Sequence, residues 1–371
     1  MLPRHVYVHV PFCARRCSYC DFSIAVRRAV PVDEYLDALE RELALRVPAD
    51  QAWDIDTLYF GGGTPSHLGP EGVSRMLALF QSRFALAPDA EVTLEANPDD
   101  ITERAIRSWR AAGVNRLSIG SQSFDPRVLE WMRRTHSTEQ IVNAVEAARG
   151  GGIENLSLDL IFALPETLGR DWDRDLEQTL ALAPQHVSLY GLTVEPATPL
   201  ARWRDRGSVR EAPEERYEAE FLRAHDRLAS AGYEHYEVSN YALPGRRSRH
   251  NSSYWRRVPY AGFGPSAHAF DGTRRRWNIA PYTGWVRSLA EGRDPLEGEE
   301  VLTDESRQAE EIYLGLRVAD GLEVDEGMAL RVQPWIASGW AALYGSRLRL
   351  TPAGWLRLDA LAADLTLVAS H

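Results

Sequence analysis

The stretch that decides the fold is Pro11-Phe12-Cys13-Ala14-Arg15-Arg16-Cys17-Ser18-Tyr19-Cys20-Asp21-Phe22, which contains all three cysteines of the chain. Thiolates this close together repel one another unless a metal takes up their charge. A disulfide is the weakest interpretation, because the cysteine count is odd and only a tight loop separates Cys17 from Cys20. A structural zinc site would need a fourth ligand, such as His5 or His9. A [4Fe–4S] cluster usually takes four cysteines, so three would leave one iron open to a small molecule. The spacing favours the open cluster, with zinc second.

The composition is typical of a soluble globular protein, with 44% hydrophobic and 26% charged residues in a chain of 371. This length predicts one large domain and a smaller one. The sequence has no long apolar run that could span a membrane and no signal-peptide pattern, and its three unpaired thiols indicate the cytoplasm. A net charge of −11 disfavours nucleic-acid binding. The chain contains no lysine, which excludes a P-loop lysine, a Schiff-base lysine and a lysine general base.

Short apolar runs alternate with amphipathic stretches through the first half of the chain. Such alternation predicts a parallel sheet covered by helices, with the chemistry at the C-terminal ends of the strands. The predicted strands are residues 6–10, 57–60, 91–95, 114–119, 156–162 and 186–190. The predicted helices between them are residues 33–47, 70–84, 102–111, about 125–149 and 171–182.

The cysteine spacing, C-x3-C-x2-C with an aromatic residue before the third cysteine, resembles the signature of the radical S-adenosylmethionine (SAM) superfamily. The surrounding Tyr7-x-His9-x-Pro11-Phe12-Cys13 resembles the oxygen-independent coproporphyrinogen III oxidase family. The resemblance implies an α/β fold built on a partial (β/α)6 barrel. It also implies that Cys13, Cys17 and Cys20 hold three irons of a [4Fe–4S] cluster and that SAM chelates the fourth.

Polar residues at the predicted strand ends resemble the SAM contacts of that family. Gly61-Gly62-Gly63-Thr64-Pro65 follows the second strand, where glycines let the backbone approach a ligand closely. Asp159 lies within an apolar run, where a carboxylate is costly unless it has partners. The resemblance assigns SAM binding to Tyr7, Gly62, Gly63, Thr64, Glu95, Gln122, Arg134, Asp159 and Thr193.

The segment from residue 246 to 276 is positively charged, although the chain as a whole is negatively charged. Between residues 246 and 276 the sequence has eight arginines and one acidic residue, Asp271. This pattern is typical of a solvated face, but it also suits the docking of a flat ligand with carboxylates, because arginines pair carboxylates and the interleaved aromatic residues cover rings. The segment Arg249-His250-Asn251-Ser252-Ser253-Tyr254-Trp255 offers His250 as an axial ligand to heme iron.

The His-Asn-x-x-Tyr-Trp pattern in this segment resembles the motif of the heme-chaperone branch of the family. Phe22 stands where the dehydrogenase of the family has a further cysteine, and the chain starts close to the cysteine loop, as that branch does. The resemblance therefore implies a chaperone that passes heme to acceptor proteins, with a low-potential electron donor such as flavodoxin. The alternative is coproporphyrinogen III dehydrogenase, in which a 5′-deoxyadenosyl radical removes hydrogen from propionate side chains before decarboxylation. A zinc-stabilised barrel enzyme is a third hypothesis, and no catalytic residue is assigned.

The expected organisation has three parts: a barrel core over residues 1–195, an extension with the heme-binding segment over 196–289, and a small winged-helix-like domain over 290–371. The pattern predicts a long helix at 214–231 and a strand at 233–241. In the last part it predicts helices at 310–318, 325–332, 335–343 and 355–365, with a strand and wing at 348–354. This last part has no basic stripe, so we expect a lid or interaction domain rather than a DNA-binding one.

Overall fold

The structure, a computed structural model, describes residues 2–47 and 53–366. Its strands are β1 His5–Val10, β2 Phe12–Cys13, β3 Ala25–Val26, β4 Asp54–Gly62, β5 Ala85–Ala96, β6 Arg116–Gln122, β7 Asn155–Phe162, β8 His186–Gly191, β9 Glu234–Glu237, β10 Asn240–Ala242, β11 Tyr260–Phe263, β12 His268–Phe270, β13 Arg274–Asn278, β14 Leu296–Val301, β15 Leu322–Glu323, β16 Ala341–Tyr344 and β17 Arg347–Leu350. Its helices are α1 Val32–Arg46, α2 Gly69–Gln81, α3 Glu103–Ala112, α4 Pro126–Trp131, α5 Thr138–Gly150, α6 Trp172–Ala181, α7 Pro199–Asp205, α8 Glu214–Ser230, α9 Arg249–Trp255, α10 Tyr282–Ala290, α11 Asp304–Arg317, α12 Glu326–Arg331, α13 Gln333–Ala337, α14 Pro352–Trp355 and α15 Leu358–Thr366.

Six parallel strands, β1 and β4 to β8, lie side by side in chain order, which confirms the predicted strand–helix alternation. Each strand contains one of the six apolar runs, and their side chains pack into a common core with the helices that follow them. Because all six strands run the same way, their C-terminal ends meet at one edge, where the predicted site residues lie.

The sheet continues beyond the six strands on both sides. The full order is β14-β13-β12-β11-β1-β4-β5-β6-β7-β8-β10-β9, a sheet of 12 strands. β11 pairs parallel to β1, and β12 to β14 then form an antiparallel meander. These edge strands, which the local sequence pattern does not predict, bring the arginine-rich segment alongside the cysteine loop.

The single helix predicted over 125–149 is wrong in its middle, because a non-helical segment separates α4 from α5. Arg133 adopts a left-handed conformation with φ 59°, which a continuous helix cannot accommodate. Ser137 then caps α5 through a capping box with Gln140. The break turns Arg134 away from a helix surface and towards the C-terminal edge of the sheet.

Two further predictions need correction. The predicted strand at 233–241 is a hairpin, in which β9 and β10 pair antiparallel. The predicted helix at 335–343 stops after α13, where Gly339 takes φ 74°, and the chain continues as β16. β16 pairs with the next strand, β17, across the two-residue turn Gly345-Ser346, so a β-hairpin replaces the end of the predicted helix.

The C-terminal part contains the three-stranded antiparallel sheet β15-β17-β16 and the helices α11 to α15. Its apolar side chains share one core with the second half of the barrel, where Leu316, Trp335 and Leu365 belong to the same cluster as Leu160 and Val187. β14 pairs with β13, so the large sheet extends past residue 290. The division into three parts therefore stays a proposal.

Candidate active site: two adjoining cavities

The three cysteines line a cavity at the C-terminal edge of the parallel strands, which we call the cysteine cavity. Its volume is about 430 Å³. The structure brings every residue predicted to bind the cluster or SAM to this cavity except Tyr7. The lining includes Cys13, Cys17, Cys20, Gly62, Gly63, Thr64, Glu95, Gln122, Arg134, Asp159 and Thr193.

The three thiols are free and partly buried. The Cys13 Sγ lies 3.3 Å from the Thr64 hydroxyl, and burial raises the pKa of this thiol to about 11. Burial also raises the pKa of Cys20. Metal binding at these sulfurs therefore has to release protons. Within residues 2–47 and 53–366, no group of three or more His, Cys, Asp or Glu side chains is arranged as a metal site, and this finding does not discriminate between the zinc and cluster hypotheses.

Arg134 is the least exposed of the three arginines that line the cysteine cavity, Arg15, Arg133 and Arg134. One guanidinium nitrogen lies 3.5 Å from the Cys17 Sγ, and the other donates to the Asn97 side-chain oxygen at 2.6 Å and to the Gly120 carbonyl at 2.9 Å. Its Nε is buried without a hydrogen-bond partner in the described part of the chain. An arginine held this way beside the cysteines suits a ligand carboxylate. Sequence reasoning missed Asn97, although it follows Glu95 closely at a strand end.

Two carboxylates lie across the cavity from the cysteine loop. Glu95 accepts hydrogen bonds from the Tyr59 hydroxyl at 2.7 Å and from the Gly62 amide at 3.1 Å. Burial raises its pKa to about 7. Asp159 accepts hydrogen bonds from Ser118 at 3.1 Å and from Ser157 at 3.2 Å, and burial also raises its pKa. Ser118 and Ser157 supply the hydrogen bonds that allow the Asp159 carboxylate to lie within an apolar strand, and Tyr59 does the same for Glu95. Sequence reasoning did not single out these three donors.

Gly62 and Gly63 form a part of the cysteine-cavity wall that consists of backbone without side chains. Gly62 has φ 115°, and a Cβ there would lie 2.6 Å from the His9 ring, so a side chain is excluded on both grounds. A Cβ on Gly63 would lie 2.8 Å from the Phe12 carbonyl oxygen. Only glycine fits these two positions, and the wall therefore presents backbone to the cavity.

Two further predicted SAM residues, Gln122 and Thr193, also line the cavity. Gln122 has φ 64°, a left-handed conformation that ends β6. Thr193 is exposed and lies just after β8. Together with the thiols, the arginine and the carboxylates, the donor set fits a cluster plus a ligand that carries a carboxylate and vicinal hydroxyls.

A second cavity, of about 510 Å³, adjoins the first, and we call it the aromatic cavity. The two cavities share Phe22, Gly62 and Glu95. Tyr7, which was predicted to bind SAM, lines this second cavity, and its hydroxyl lies 3.1 Å from His9 Nδ1. The other lining residues are His9, Ser23, Tyr254, Trp255, Arg257, Tyr260, Ser266, His268, Phe270, Arg275 and Leu314.

His250 does not line either cavity. Its side chain is 0% exposed, and both ring nitrogens are engaged: Nδ1 with the Thr57 hydroxyl and Nε2 with the Tyr254 hydroxyl, each at 2.7 Å. Burial lowers its pKa well below the usual range, so the ring is neutral. In this arrangement His250 has no nitrogen available for iron and instead positions Tyr254, which does line the aromatic cavity.

Most of the arginine-rich segment is paired with acidic residues brought from elsewhere. Seven of its eight arginines form ion pairs with carboxylates. Only Arg257 and Arg275 line the aromatic cavity. Both pair with Glu310, which lies 3.5 Å from Arg257 and 2.5 Å from Arg275. The solvated-face interpretation therefore holds for most of the segment, and two arginines remain at the cavity.

Comparison with known proteins places this geometry in a family. Residues 7–183 match the Radical SAM superfamily. The Heme chaperone HemW of Mycobacterium tuberculosis is 37% identical over 369 residues, which cover 98% of this chain and 95% of that protein. The chain belongs to the HemW family. The HemW of a Synechocystis strain is 38% identical over 87% of this chain and 80% of its own length.

The fold comparison agrees with the sequence relatives. The coproporphyrinogen III oxidase HemN of Escherichia coli, a radical SAM enzyme, superposes with a TM-score of 0.82. It covers 97% of this chain and 89% of its own, at 24% identity, and so shows a shared fold. The predicted radical-SAM α/β fold is thereby confirmed. No helix within residues 2–47 and 53–366 is long and apolar enough to cross a membrane.

Proposed function

We propose that the chain is a cytoplasmic heme chaperone that binds heme in the aromatic cavity, beside a SAM-ligated [4Fe–4S] cluster, and passes heme to acceptor proteins. The observation that carries the proposal is the pair of adjoining cavities, one lined by three cysteines and the other by aromatic rings and two arginines. The relatives that cover most of the chain bear the name heme chaperone, and the chemistry of the second cavity suits a flat dicarboxylate.

In the cysteine cavity the assignment follows the donors. Cys13, Cys17 and Cys20 would hold three irons, and such a cluster supplies an open iron that a chelating ligand can occupy. Arg134 neutralises the carboxylate of SAM, since its guanidinium already faces Cys17. Glu95 and Asp159 would accept hydrogen bonds from the ribose hydroxyls of SAM. The remaining contacts to SAM would come from Gly62, Gly63, Thr64, Gln122 and Thr193.

In the aromatic cavity the rings of Tyr254, Tyr260 and Phe270 cover the macrocycle and exclude water. Arg257 and Arg275 pair with the two propionates. Glu310 forms ion pairs with both arginines, so a propionate would have to share the arginines with this carboxylate or replace it. His250 acts on the heme through Tyr254, whose hydroxyl it holds.

One sequence feature distinguishes this proposal from a dehydrogenase. Phe22 stands where the related dehydrogenase carries a further cysteine, and it lies at the junction of the two cavities. The arginines and aromatic rings of the aromatic cavity suit heme and coproporphyrinogen III alike, since both macrocycles carry propionates. A low-potential donor such as flavodoxin would reduce the cluster, and no catalytic residue is assigned.

The test is anaerobic reconstitution with iron and sulfide, followed by separate titration with ferric heme and with coproporphyrinogen III in the presence of SAM and a low-potential reductant. We expect heme binding and no decarboxylation of coproporphyrinogen III. Formation of protoporphyrinogen would overturn the chaperone proposal in favour of the dehydrogenase. A colourless anaerobic protein with stoichiometric zinc would overturn both.

A further inference from the structure

Two histidines line the aromatic cavity within the described residues, His9 and His268. His9 is 7% exposed, and both of its ring nitrogens are engaged, Nδ1 with the Tyr7 hydroxyl and Nε2 with the Ser23 carbonyl at 3.0 Å. Both ring nitrogens of His250 are engaged as well. Neither His9 nor His250 therefore has a ring nitrogen available to a heme iron in this cavity.

His268 differs from His9 and His250 in its exposure and in its hydrogen bonding. It opens β12, its side chain is exposed, and its ring forms no hydrogen bond with any residue in the described ranges. Its imidazole stacks on the Trp277 ring, with centroids 5.9 Å apart and an interplanar angle of 24°, which fixes the ring plane from one side. Partial burial and the charge of Arg275 lower the pKa of His268, so the ring is neutral near neutral pH, as iron ligation requires.

The β12–β13 hairpin places this histidine in register with the groups that heme needs. His268 and Phe270 are two residues apart on β12 and so point to the same face. On β13 they are paired with Trp277 and Arg275, respectively. The Arg275 guanidinium lies 5.6 Å from the centroid of the Phe270 ring. His268 and Arg275 are therefore diagonal neighbours on two paired strands, where Cβ atoms lie about 7–8 Å apart, so an imidazole and a guanidinium can contact the same flat ligand at two points.

We propose that His268 is the protein ligand of the heme iron, with Arg275 at a propionate on the same hairpin face. This inference rests on the proposed function, because it assigns the iron ligand of the same cavity. A ring nitrogen of His268 donates its lone pair to the iron and displaces water, while the charges of iron and porphyrin stay unchanged. His250 then supports the cavity wall through Tyr254.

The experiment compares ferric heme with iron-free protoporphyrin IX on the full-length chain carrying its reconstituted cluster. The variants are His268→Ala, His250→Ala and, as a control outside both cavities, His67→Ala, whose ring contacts the Arg27 carbonyl. Wild type should prefer heme over protoporphyrin by at least about ten-fold, because only heme offers the iron bond. His268→Ala should lose this preference and the histidine-ligated absorption and EPR spectra, while cluster content and SAM binding stay at the wild-type level. Added imidazole should restore the spectra of this variant.

The outcomes separate the inference from the function on which it rests. Unchanged spectra and preference in His268→Ala, with loss of both in His250→Ala, would overturn the inference and assign the iron to His250. Unchanged spectra in both variants would also overturn it, since the ligand would lie elsewhere. If wild type binds neither porphyrin, the proposed function itself fails. If His268→Ala also loses its cluster, His268→Gln replaces it, and the same loss of heme preference with an intact cluster is required.

Discussion

Replacing Glu95 by Gln should stabilise the ligand-free protein at alkaline pH, because this carboxylate ionises at a cost. Its hydrogen bonds from Tyr59 and Gly62 compensate burial only in part, and the pKa rises to about 7 from its ordinary 4.5. A pKa difference of about 2.5 corresponds to about 3 kcal/mol, an upper limit because the group lines two cavities and keeps some contact with water.

The sign follows from proton binding. The unfolded chain loses this proton near pH 4.5 and the folded chain near pH 7, so the folded state binds more protons between these values and its stability falls as the pH rises. Above pH 7 the full cost is present. The gain from Glu95→Gln should therefore be about 3 kcal/mol at pH 8 and about 1 kcal/mol at pH 5.5, and it should vanish below pH 4.5.

The assay is urea denaturation of the ligand-free chain under anaerobic conditions, with the variant and wild type compared at pH 8 and pH 5.5. Glu103→Gln serves as the control, because the Glu103 side chain is 80% exposed and its substitution should change stability little at either pH. A gain from Glu95→Gln that is equal at the two pH values, or a loss at pH 8, would refute the reasoning. The same variant should bind SAM more weakly, since Gln accepts hydrogen bonds from ribose less strongly than a carboxylate.

Three further predictions concern the two cavities. Cys17→Ala should lose the cluster of about four irons per chain, measured by iron analysis and visible absorption, and four irons in the variant would refute the ligand assignment. Arg134→Ala and Asp159→Ala should each weaken SAM binding by roughly ten- to a hundred-fold in calorimetric titration, since a charge-assisted contact contributes about 1.5–3 kcal/mol. Titrations matching wild type for both, or equal weakening in the exposed control Arg127→Ala, would mean the site lies elsewhere. Glu310→Gln should bind ferric heme several-fold more tightly than wild type, because it releases the two arginines of the aromatic cavity. Weaker heme binding in this variant would show that Glu310 orders these arginines instead of competing with a propionate.

Local sequence was sufficient for the parallel core and for most of the cysteine cavity. The apolar runs fix the strands, and residues just after them, such as Glu95 and Gln122, necessarily gather at one edge of a parallel sheet. Arg134 reached the cavity for a reason the pattern could not show. The helix predicted around it breaks at Arg133, where backbone strain and a capping box outweigh a continuous helical periodicity.

The aromatic cavity depended on contacts distant in sequence, and there the prediction was weakest. His250 was prominent in sequence, yet its partner Thr57 lies 193 residues away, and that hydrogen bond buries the ring. Tyr7 lies on the first strand, but its neighbour β11 comes from residues 260–263, so it faces the aromatic cavity. Glu310 pairs with two arginines of the predicted docking segment from a helix in the C-terminal part. None of these pairings can be predicted from the spacing of apolar residues within a single strand or helix.

Phe22 borders both proposed binding sites, so SAM and heme bound there would be thermodynamically coupled. Its ring is 60% exposed and borders both cavities, together with the thin backbone wall at Gly62 and the carboxylate of Glu95. A molecule in one cavity therefore touches atoms that also contact a molecule in the other. Linkage requires the effect to be reciprocal: whatever factor SAM contributes to heme affinity, heme contributes to SAM affinity.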